Sequence, residues 1–317
     1  MKNVLIYRTD KIGDFLISTP IFSSLKRKFI NCKIDIVCSN LNYDYVKSFN
    51  FFNKVLLYPD NFFKKISFYL SLNDYDHILV LDGKKRSIYN SIFKRSKTKT
   101  LFTPSSTIKK MFKYFFNNVY FIDYNVPKIN LLKNFLSNIE CEYKSIDLNF
   151  LLKYENSKCL KYNKSVSEYI ILNFDEKWIY KNYIKTYKNI EPTFTQFVNF
   201  LSTLSKNNRV IIVNGFFENP LLEKLKISNY INDNANLVIK DKINIFELQF
   251  LIKHCNCLIS CHGAPSHIAS NYDIKVIDIV DDSEIKFFSS YNHHFKNKVQ
   301  IIRDNFNDLS RKIIESI

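Results

Sequence analysis

Short apolar runs alternate with longer amphipathic segments along most of the chain. Runs of four or five apolar residues between polar positions are typical of strands buried on both faces of a parallel sheet. The longer segments repeat apolar residues at the spacing of one helical face. For the first half, the pattern predicts strands at Val4–Tyr7, Ile34–Cys38, Val55–Tyr58, Ile78–Leu81, Thr100–Thr103 and Val119–Ile122, and helices at Asp14–Phe29, Asn42–Phe49 and Asn61–Leu72.

The alternation restarts after a polar stretch, Lys153–Ser167, which is rich in Lys, Asn and Ser. Two successive runs predict an α/β fold of two Rossmann-like, doubly wound domains that face each other across a cleft. We place the domains at 1–160 and 161–317 and expect that the last helix can pack back on the first domain. The predicted elements are strands at Tyr169–Asn173, Val210–Val213, Leu237–Ile239, Cys257–Cys261 and Val276–Val280, and helices at Thr193–Ser205, Pro220–Ile227, Ile245–His254, Pro265–Asn271 and Asp304–Ile317.

Basic residues outnumber acidic ones by 46 to 30 in this chain of 317 residues, a net charge of +16. Such a field favours an anionic partner: nucleic acid, an acidic membrane or a phosphorylated substrate. The stretch Gly83–Ile122 holds ten Lys or Arg and no acid. Within it, Ser106–Phe116 interleaves lysines with aromatic rings, which suits either an anionic bilayer or a solvated basic face over a core stripe.

Nucleic acid is the main non-enzymatic alternative, because basic residues among aromatic ones also suit single strands. No signature of a known nucleic-acid-binding module is present, so we do not expect this partner. No apolar run approaches the ~20 residues of a membrane span, and the N-terminus does not resemble a signal peptide. We therefore predict a cytoplasmic protein, peripheral on the inner face of the inner membrane if the basic segment binds lipid.

Seven scattered cysteines indicate a reducing compartment rather than a disulfide framework. Cys255, Cys257 and Cys261, together with His262, do not have the spacing of a common zinc module, and the cysteines fall on or beside a predicted buried strand. A buried free cysteine behaves as a small hydrophobic residue. We therefore predict no metal site.

Ligands of open parallel sheets bind beyond the carboxyl ends of the strands. The first strand leads into Arg8-Thr9-Asp10-Lys11-Ile12-Gly13-Asp14, which is neither a dinucleotide fingerprint nor a Walker loop. Asp14 falls in the first helical turn. Its carboxylate either acts as a general base or only complements the helix dipole.

The strand Cys257–Cys261 runs into a second such loop, His262-Gly263-Ala264-Pro265-Ser266-His267. Pro265 suits the first helical position, so the amides of Ser266 and His267 are predicted to point out of the helix end and bind a diphosphate. His267 either adds a hydrogen bond or positive charge to that site, or only caps and packs. Of the remaining histidines, His293 and His294 are expected on the solvated surface.

Together, the two loops resemble the ADP-heptose:lipopolysaccharide heptosyltransferases of glycosyltransferase family 9. The matching patches lie within about Val4–Thr103 and Val210–Val280, most of the chain. They are Val4–Arg8, Ile12–Asp14 followed by Thr19-Pro20, Ile34–Val37, Asp82–Ser87, Ile245–Leu248, Leu258–Ser260 and Pro265–Ala269.

The resemblance implies a GT-B fold and a metal-independent, inverting transfer of a sugar, with no cofactor. The donor would be a nucleotide-sugar, ADP-heptose in the family, and the acceptor an anionic glycolipid such as a lipopolysaccharide core. Asp14 aligns with the catalytic base, and Lys177 is the best match to the lysine at the donor phosphates, with Lys181 and Lys185 as alternatives. The implied donor site is Lys177, Glu247, His262, Gly263, Ala264, Pro265, Ser266 and His267; the implied acceptor site is Arg8, Lys11, Gly13, Lys84, Lys85 and Arg86.

The chain departs from the family in the donor loop, where His262-Gly263-Ala264 stands in place of Asp-Thr-Gly. This change removes an acid that would contact the sugar or ribose of the donor, so the donor sugar stays open. Two further alternatives are a nucleotide-sugar epimerase or phosphorylase of the same fold, and a non-catalytic relative that only binds a membrane or a partner.

Overall fold

The computed structural model describes residues 3–49, 51–143, 168–228, 230–231, 233–292 and 294–317. The chain forms two compact units, one on each side of residues 144–167. The domain boundary predicted at residue 160 and the polar stretch at Lys153–Ser167 lie outside the described residues. Each unit is built around a six-stranded parallel sheet.

The first unit has the strand order β3-β2-β1-β4-β5-β6. All neighbours pair in parallel; Val4 to Tyr7 of β1, for example, register with Ile34 to Val37 on one side and His77 to Val80 on the other. The strands are β1 (Asn3–Tyr7), β2 (Lys33–Cys38), β3 (Lys54–Leu57), β4 (Tyr75–Val80), β5 (Ser96–Thr103) and β6 (Asn118–Phe121); the helices are α1 (Ile12–Lys28), α2 (Tyr43–Lys47), α3 (Phe62–Ser71), α4 (Lys85–Phe93), α5 (Ser106–Phe112) and α6 (Lys128–Asn138).

Helices cover both faces of this sheet because the chain moves in opposite directions from its centre. Right-handed crossovers then put α1 and α2 on one face and α4 and α5 on the other. Packing agrees: Phe15 of α1 lies against Tyr45 and Phe49 at α2, while α3, α4 and α5 bury Leu72, Ile88 and Phe112 in one cluster with β1 and β4. Helix α6 contacts α1.

The second unit repeats the arrangement, with the strand order β12-β11-β10-β7-β8-β9. Its core stacks Phe174 on Phe197 at a centroid distance of 4.4 Å, beside the fully buried ring of Trp178. The strands are β7 (Tyr169–Asn173), β8 (Arg209–Val213), β9 (Leu237–Lys240), β10 (Cys257–Cys261), β11 (Lys275–Val280) and β12 (Lys298–Ile302); the helices are α7 (Phe194–Ser205), α8 (Pro220–Ile227), α9 (Ile245–Lys253), α10 (Ala264–Asn271), α11 (Ile285–Tyr291) and α12 (Phe306–Glu315).

Every strand predicted from the apolar runs is present, with ends shifted by up to four residues. The edge strand β12 was not predicted, because it mixes Lys and Gln with apolar residues. Helices α4, α5, α6 and α11 were also missed. Helix α12 buries Phe306, Leu309 and Ile313 in the core of its own unit, and the expectation that it can pack back on the first unit stays a prediction. No helix in the described ranges is both long and apolar enough to cross a bilayer.

In each sheet, the order in which successive strands are added reverses between the two central strands. These are β1 and β4 in the first unit and β7 and β10 in the second. At such a switch point the connecting helices diverge to opposite faces and leave a crevice at the carboxyl ends of the two strands. The loops that carry Asp14 and His267 follow β1 and β10, so the two candidate sites lie at the two switch points.

We predict that Gly83→Ala destabilises the first unit. Gly83 has φ of +60°, and a Cβ there would lie 2.9 Å from the carbonyl oxygen of Phe102. A strained conformation and a backbone clash together cost about 1–3 kcal/mol. Urea unfolding should show this loss, whereas Gly215→Ala, whose Cβ would meet nothing within 4 Å, should change stability far less. Equal effects of the two substitutions would contradict the prediction.

Candidate functional site

In the first unit, Asp82 ties the ends of the two central strands together. One carboxylate oxygen accepts hydrogen bonds from the Thr9 amide at 3.1 Å, the Thr9 hydroxyl at 2.6 Å and the Ser87 hydroxyl at 2.7 Å. The other accepts the Lys84 amide at 3.1 Å. Because Thr9 follows β1 and Asp82 follows β4, this carboxylate fixes the two loops of the switch point to each other.

Two of the predicted acceptor-site cations donate hydrogen bonds to the backbone of the first loop. Lys84 donates from Nζ to the Thr9 carbonyl at 3.0 Å, and Arg86 donates from Nη2 to the same carbonyl at 2.9 Å. Lys85 and Lys11 are exposed. Gly13 lies in the first turn of α1, so its backbone is helical rather than in the left-handed region.

Arg8, which was predicted as an acceptor contact, is buried, with 1% of its surface exposed. Its guanidinium donates from Nη1 to the Leu81 carbonyl at 2.7 Å and from Nε to the Asp14 carbonyl at 2.9 Å. It also lies 3.7 Å from the Asp14 carboxylate. Arg8 therefore holds the first turn of α1 against β4, and so positions Asp14.

Asp14 has the placement that its motif predicted, in the first turn of α1. Its side chain is about one-third exposed, at 33%, so a substrate hydroxyl can reach it. Asp14 is also the acid that complements the amino end of α1, so both predicted roles are compatible with its position.

Two charges that the sequence did not indicate lie near Arg8: Asp10, which is partly buried, and Lys128, which is buried. Asp10 lies 3.2 Å from Arg8 Nη1, and burial, opposed by Arg8, raises its pKa to about 6. Burial, together with the charge of Arg8, lowers the pKa of Lys128 to about 7. Lys128 begins α6, more than 110 residues from Arg8 in sequence, and no local pattern connects the two positions.

In the second unit, Lys177 lies where the resemblance placed the phosphate-binding lysine. It follows β7 in a short 3-10 helix, and its Nζ binds the Asp175 carboxylate at 2.8 Å. Burial opposes the charge of Lys177, but Asp175 raises the pKa above its usual value, so the ammonium stays protonated. The alternatives Lys181 and Lys185 are exposed.

Gly263 gives the Lys177 ammonium its space beside α10. A Cβ at Gly263 would lie 2.9 Å from Lys177 Nζ, and the φ of Gly263, 171°, is extended backbone that any residue adopts. The glycine is therefore needed for space rather than for backbone conformation. The two switch-point strands β7 and β10 thus bring a cation onto the amino end of α10.

The amides of the α10 end differ from the prediction. The helix begins at Ala264, and Gly263 is its N-cap, so the amides of Ser266 and His267 both donate to the Gly263 carbonyl, at 3.1 and 3.3 Å. Pro265 is the second helical residue and has no N–H. The amide contribution to an anion site here is smaller than predicted, and the Lys177 ammonium is the main positive charge.

His262 and Ser266 share one buried carboxylate, Asp278. His262 Nδ1 lies 2.8 Å from one oxygen, and the Ser266 hydroxyl donates to the other at 2.8 Å. Asp278 is fully buried in β11, where a carboxylate within Val276-Ile277-Asp278-Ile279-Val280 was the signal that sequence inspection missed. This pairing fixes the loop that replaces Asp-Thr-Gly.

His267 is 4% exposed, and its Nδ1 lies 3.3 Å from Nε2 of His294, whose ring stacks on it. The expectation that His294 lies on the solvated surface is therefore wrong; His293 is outside the described residues. Glu247 closes a capping box at the start of α9, where its carboxylate accepts the Asn244 amide at 2.9 Å. That capping role was not predicted.

The cysteines near this loop are part of the core. Burial raises the pKa of Cys255 to about 12, of Cys257 to about 11 and of Cys261 to about 12, which keeps the thiols protonated. Within the described part of the chain, no group of three or more His, Cys, Asp or Glu side chains has a metal-binding arrangement. Cys159 lies outside the described residues.

No known family profile and no curated protein sequence matches the chain, but solved structures do. Heptosyltransferase WaaC of E. coli, solved with ADP, has a TM-score of 0.72 at 13% identity, covering 99% of this chain and 100% of that one. A glycosyltransferase family 9 protein of Veillonella parvula has a TM-score of 0.70 at 12% identity, covering 99% and 91%. UDP-GlcNAc 2-epimerase of Methanocaldococcus jannaschii has a TM-score of 0.57 at 12% identity, covering 100% and 92%.

At these identities, the likeness shows a shared fold. The predicted GT-B class, with two Rossmann-like doubly wound domains, is confirmed. The solved glycosyltransferase family 9 protein and heptosyltransferase WaaC share this fold over nearly their whole length.

We predict that Lys128 makes the first unit more stable as the pH rises. Because the pKa of Lys128 is lower in the folded than in the unfolded chain, the unfolded chain binds more protons between about pH 7 and 10. The free energy of unfolding should therefore rise over that range, by at most about 1.4 kcal/mol per pH unit. Lys128→Met should remove this rise in urea unfolding, while Lys133→Met, at an exposed site on the same helix, should keep it. A Lys128→Met profile parallel to that of the unmodified protein would contradict the prediction.

Proposed function

We propose that the protein is an inverting, metal-independent glycosyltransferase. It transfers a sugar from a nucleoside diphosphate sugar to an anionic glycolipid acceptor, such as a lipopolysaccharide core or a related surface glycan. The proposed sugar is heptose. The observation that carries the proposal is the placement of Lys177 Nζ against Gly263 at the start of α10. It puts a partly buried cation at the switch point of the second sheet, where ligands of open parallel sheets bind.

The donor site has the chemistry of a diphosphate site. Lys177 supplies a fixed positive charge, and the amino end of α10 adds the dipole of an eight-residue helix. In the free protein, the Lys177 ammonium is paired with the Asp175 carboxylate. A donor phosphate would therefore bind this ammonium either together with the carboxylate or in its place. His262, fixed by Asp278, stands where the resembling family has an acid, and this substitution is where we expect a difference in the preferred donor sugar.

The acceptor site is proposed at the switch point of the first sheet, around Asp14, Lys11 and Lys85. The Asp14 carboxylate takes the proton of an acceptor hydroxyl, whose oxygen forms a bond to the anomeric carbon as the bond from that carbon to the diphosphate oxygen breaks. One displacement inverts the anomeric centre. The charge that develops on the leaving diphosphate is stabilised by Lys177, an electrostatic contribution.

The proposed acceptor lies in a membrane, and the segment Ser106–Phe116 is the proposed contact with the anionic bilayer. Lys109, Lys110 and Lys113 are exposed there beside Tyr114 and Phe115. Lysines near an anionic surface and rings in the interface are the two features of such a contact. The protein would then be cytoplasmic and peripheral on the inner face of the inner membrane.

A nucleotide-sugar epimerase is the second candidate, because the solved epimerase has a related fold. The two reactions differ in their need for a second substrate. An epimerase converts the nucleotide-sugar without any acceptor, whereas the proposed transferase releases nucleoside diphosphate in proportion to glycosylated acceptor. Product analysis with and without acceptor therefore separates them.

We expect ADP to raise the melting temperature more than UDP, GDP, CDP or a short oligonucleotide does. A ligand at a hundred times its Kd stabilises by about 2.7 kcal/mol. Gly263→Ala should weaken this effect, because the new Cβ displaces Lys177 Nζ, and Gly215→Ala, in open space in the same unit, should not. If another nucleotide stabilises the protein more than ADP does, the proposed donor is wrong but the proposed site still holds. If only the oligonucleotide stabilises the protein, the proposal is overturned.

We expect Asp14→Asn to reduce turnover by at least about a hundredfold, the usual contribution of a general base. Donor affinity, measured by the same melting shift, should be unchanged, because Asp14 and Lys177 belong to different units. Asp44→Asn, an exposed first-turn acid of α2, is the matched control. Loss of nucleotide affinity in Asp14→Asn, or full turnover, would contradict the assignment of Asp14 as the base.

A further inference from the structure

Helices α3, α4 and α5 form one layer over a face of the first sheet, here named the basic helix layer. Their inner faces pack into a single cluster, to which α3 contributes Phe68, α4 contributes Ile88 and α5 contributes Phe112. Side contacts join the three: Tyr69 donates to the Phe93 carbonyl, and Tyr89 packs edge-on against Phe112 with ring centroids 5.7 Å apart. The outer faces therefore make one continuous surface.

That outer surface carries large apolar side chains from every helix. On α3 they are Phe63, Ile66 and Leu70, a spacing of three and four residues that places them on one helical side. Phe63 is 78% exposed and Leu70 is 72% exposed. The others are Tyr89 and Phe93 of α4, and Met111, Tyr114 and Phe115 at or just after α5. An apolar surface shared by three helices indicates an interaction site rather than scattered exposure.

The charges on the three helices have one sign. Helix α3 carries Lys64 and Lys65, α4 carries Lys85 and Arg86, and α5 carries Lys109 and Lys110, and none of the three helices contains an acid. Lys109, Lys110 and Lys113 of α5 and its end are exposed, as are Lys64 and Arg95. The partner of this layer must therefore accommodate apolar side chains and carry negative charge close to them.

We infer that the whole basic helix layer, and not Ser106–Phe116 alone, is a docking face for an anionic phospholipid bilayer. In a bilayer, the acyl chains would contact Phe63, Leu70 and Phe93, and the lipid phosphates would contact the lysines around them. Because a bilayer surface has no fixed shape, it can make these contacts across the whole layer. The inference deepens the membrane contact proposed above and rests on it. It adds that α3, whose role no sequence motif suggested, is part of that contact.

The test is co-sedimentation of the full chain with vesicles of phosphatidylcholine alone or of phosphatidylcholine with phosphatidylglycerol. We expect binding only to the anionic vesicles. The triple variant Phe63→Ser, Ile66→Ser, Leu70→Ser should bind at least about tenfold less, since it removes apolar groups that enter the interface. The control variant Ile30→Ser, Phe216→Ser, Ile227→Ser removes three apolar residues outside the layer that are at least 75% exposed, and it should bind as the unmodified protein does.

The outcomes separate this inference from the two proposals it builds on. If the α3 variant binds normally while Met111→Ser, Tyr114→Ser, Phe115→Ser does not, the contact is limited to Ser106–Phe116 and the layer is not the docking face. Absence of binding, or equal binding to both vesicle types, overturns both membrane assignments. A dimer that the α3 substitutions dissociate, seen by size-exclusion chromatography, would show that a second copy covers this face and would also overturn the inference.

The donor site provides an independent control. The α3 variant and the Met111→Ser, Tyr114→Ser, Phe115→Ser variant change only side chains of the first unit, whereas Lys177 and Gly263 belong to the second, so the melting shift of both variants with ADP should match that of the unmodified protein. A variant that loses vesicle binding but keeps this shift is folded and fails only at the membrane. If no nucleotide shifts the melt of any form, the proposed function fails while the docking result stands by itself.

Discussion

The chemistry of this protein depends on the reversal of strand order at the centre of each parallel sheet. Between β1 and β4, and again between β7 and β10, the helices that follow the two strands leave for opposite faces. The strand ends at that point have no helix over them, so the polar groups there face a crevice. Asp14 and Lys177 are each carried into such a crevice by the turn after a central strand.

Carboxylates at both points accept hydrogen bonds from the neighbouring strand end. Asp82 binds Thr9 across the first switch point, and Asp278 of β11 binds His262 at the end of β10. An unpaired buried charge is costly, whereas a charge with several hydrogen bonds is tolerated and fixes its surroundings. The same groups connect the loops after β1 and β10 to the neighbouring strand ends, so they contribute both to stability and to the placement of the candidate site residues.

The loop after β10 departs from the pattern of the resembling family at neighbouring positions, His262 and Gly263. With glycine at 263, the Lys177 ammonium can occupy the room that a side chain would fill, and the pairing of His262 with Asp278 holds the loop at its other end. The positive charge at the helix end then comes from a side chain more than from free amides.

The sequence alone predicted every strand except β12 and most of the helices, because apolar runs and helical spacing are local patterns. It also placed Asp14 in a first helical turn and His262 to His267 at a strand end. Only the tertiary structure decided that Arg8 is buried, that Lys177 rather than Lys181 or Lys185 reaches the loop, and that Lys128 joins the Arg8 cluster. These outcomes rest on contacts between residues far apart in the chain, such as Thr9 with Asp82 across 73 positions, which no local spacing encodes.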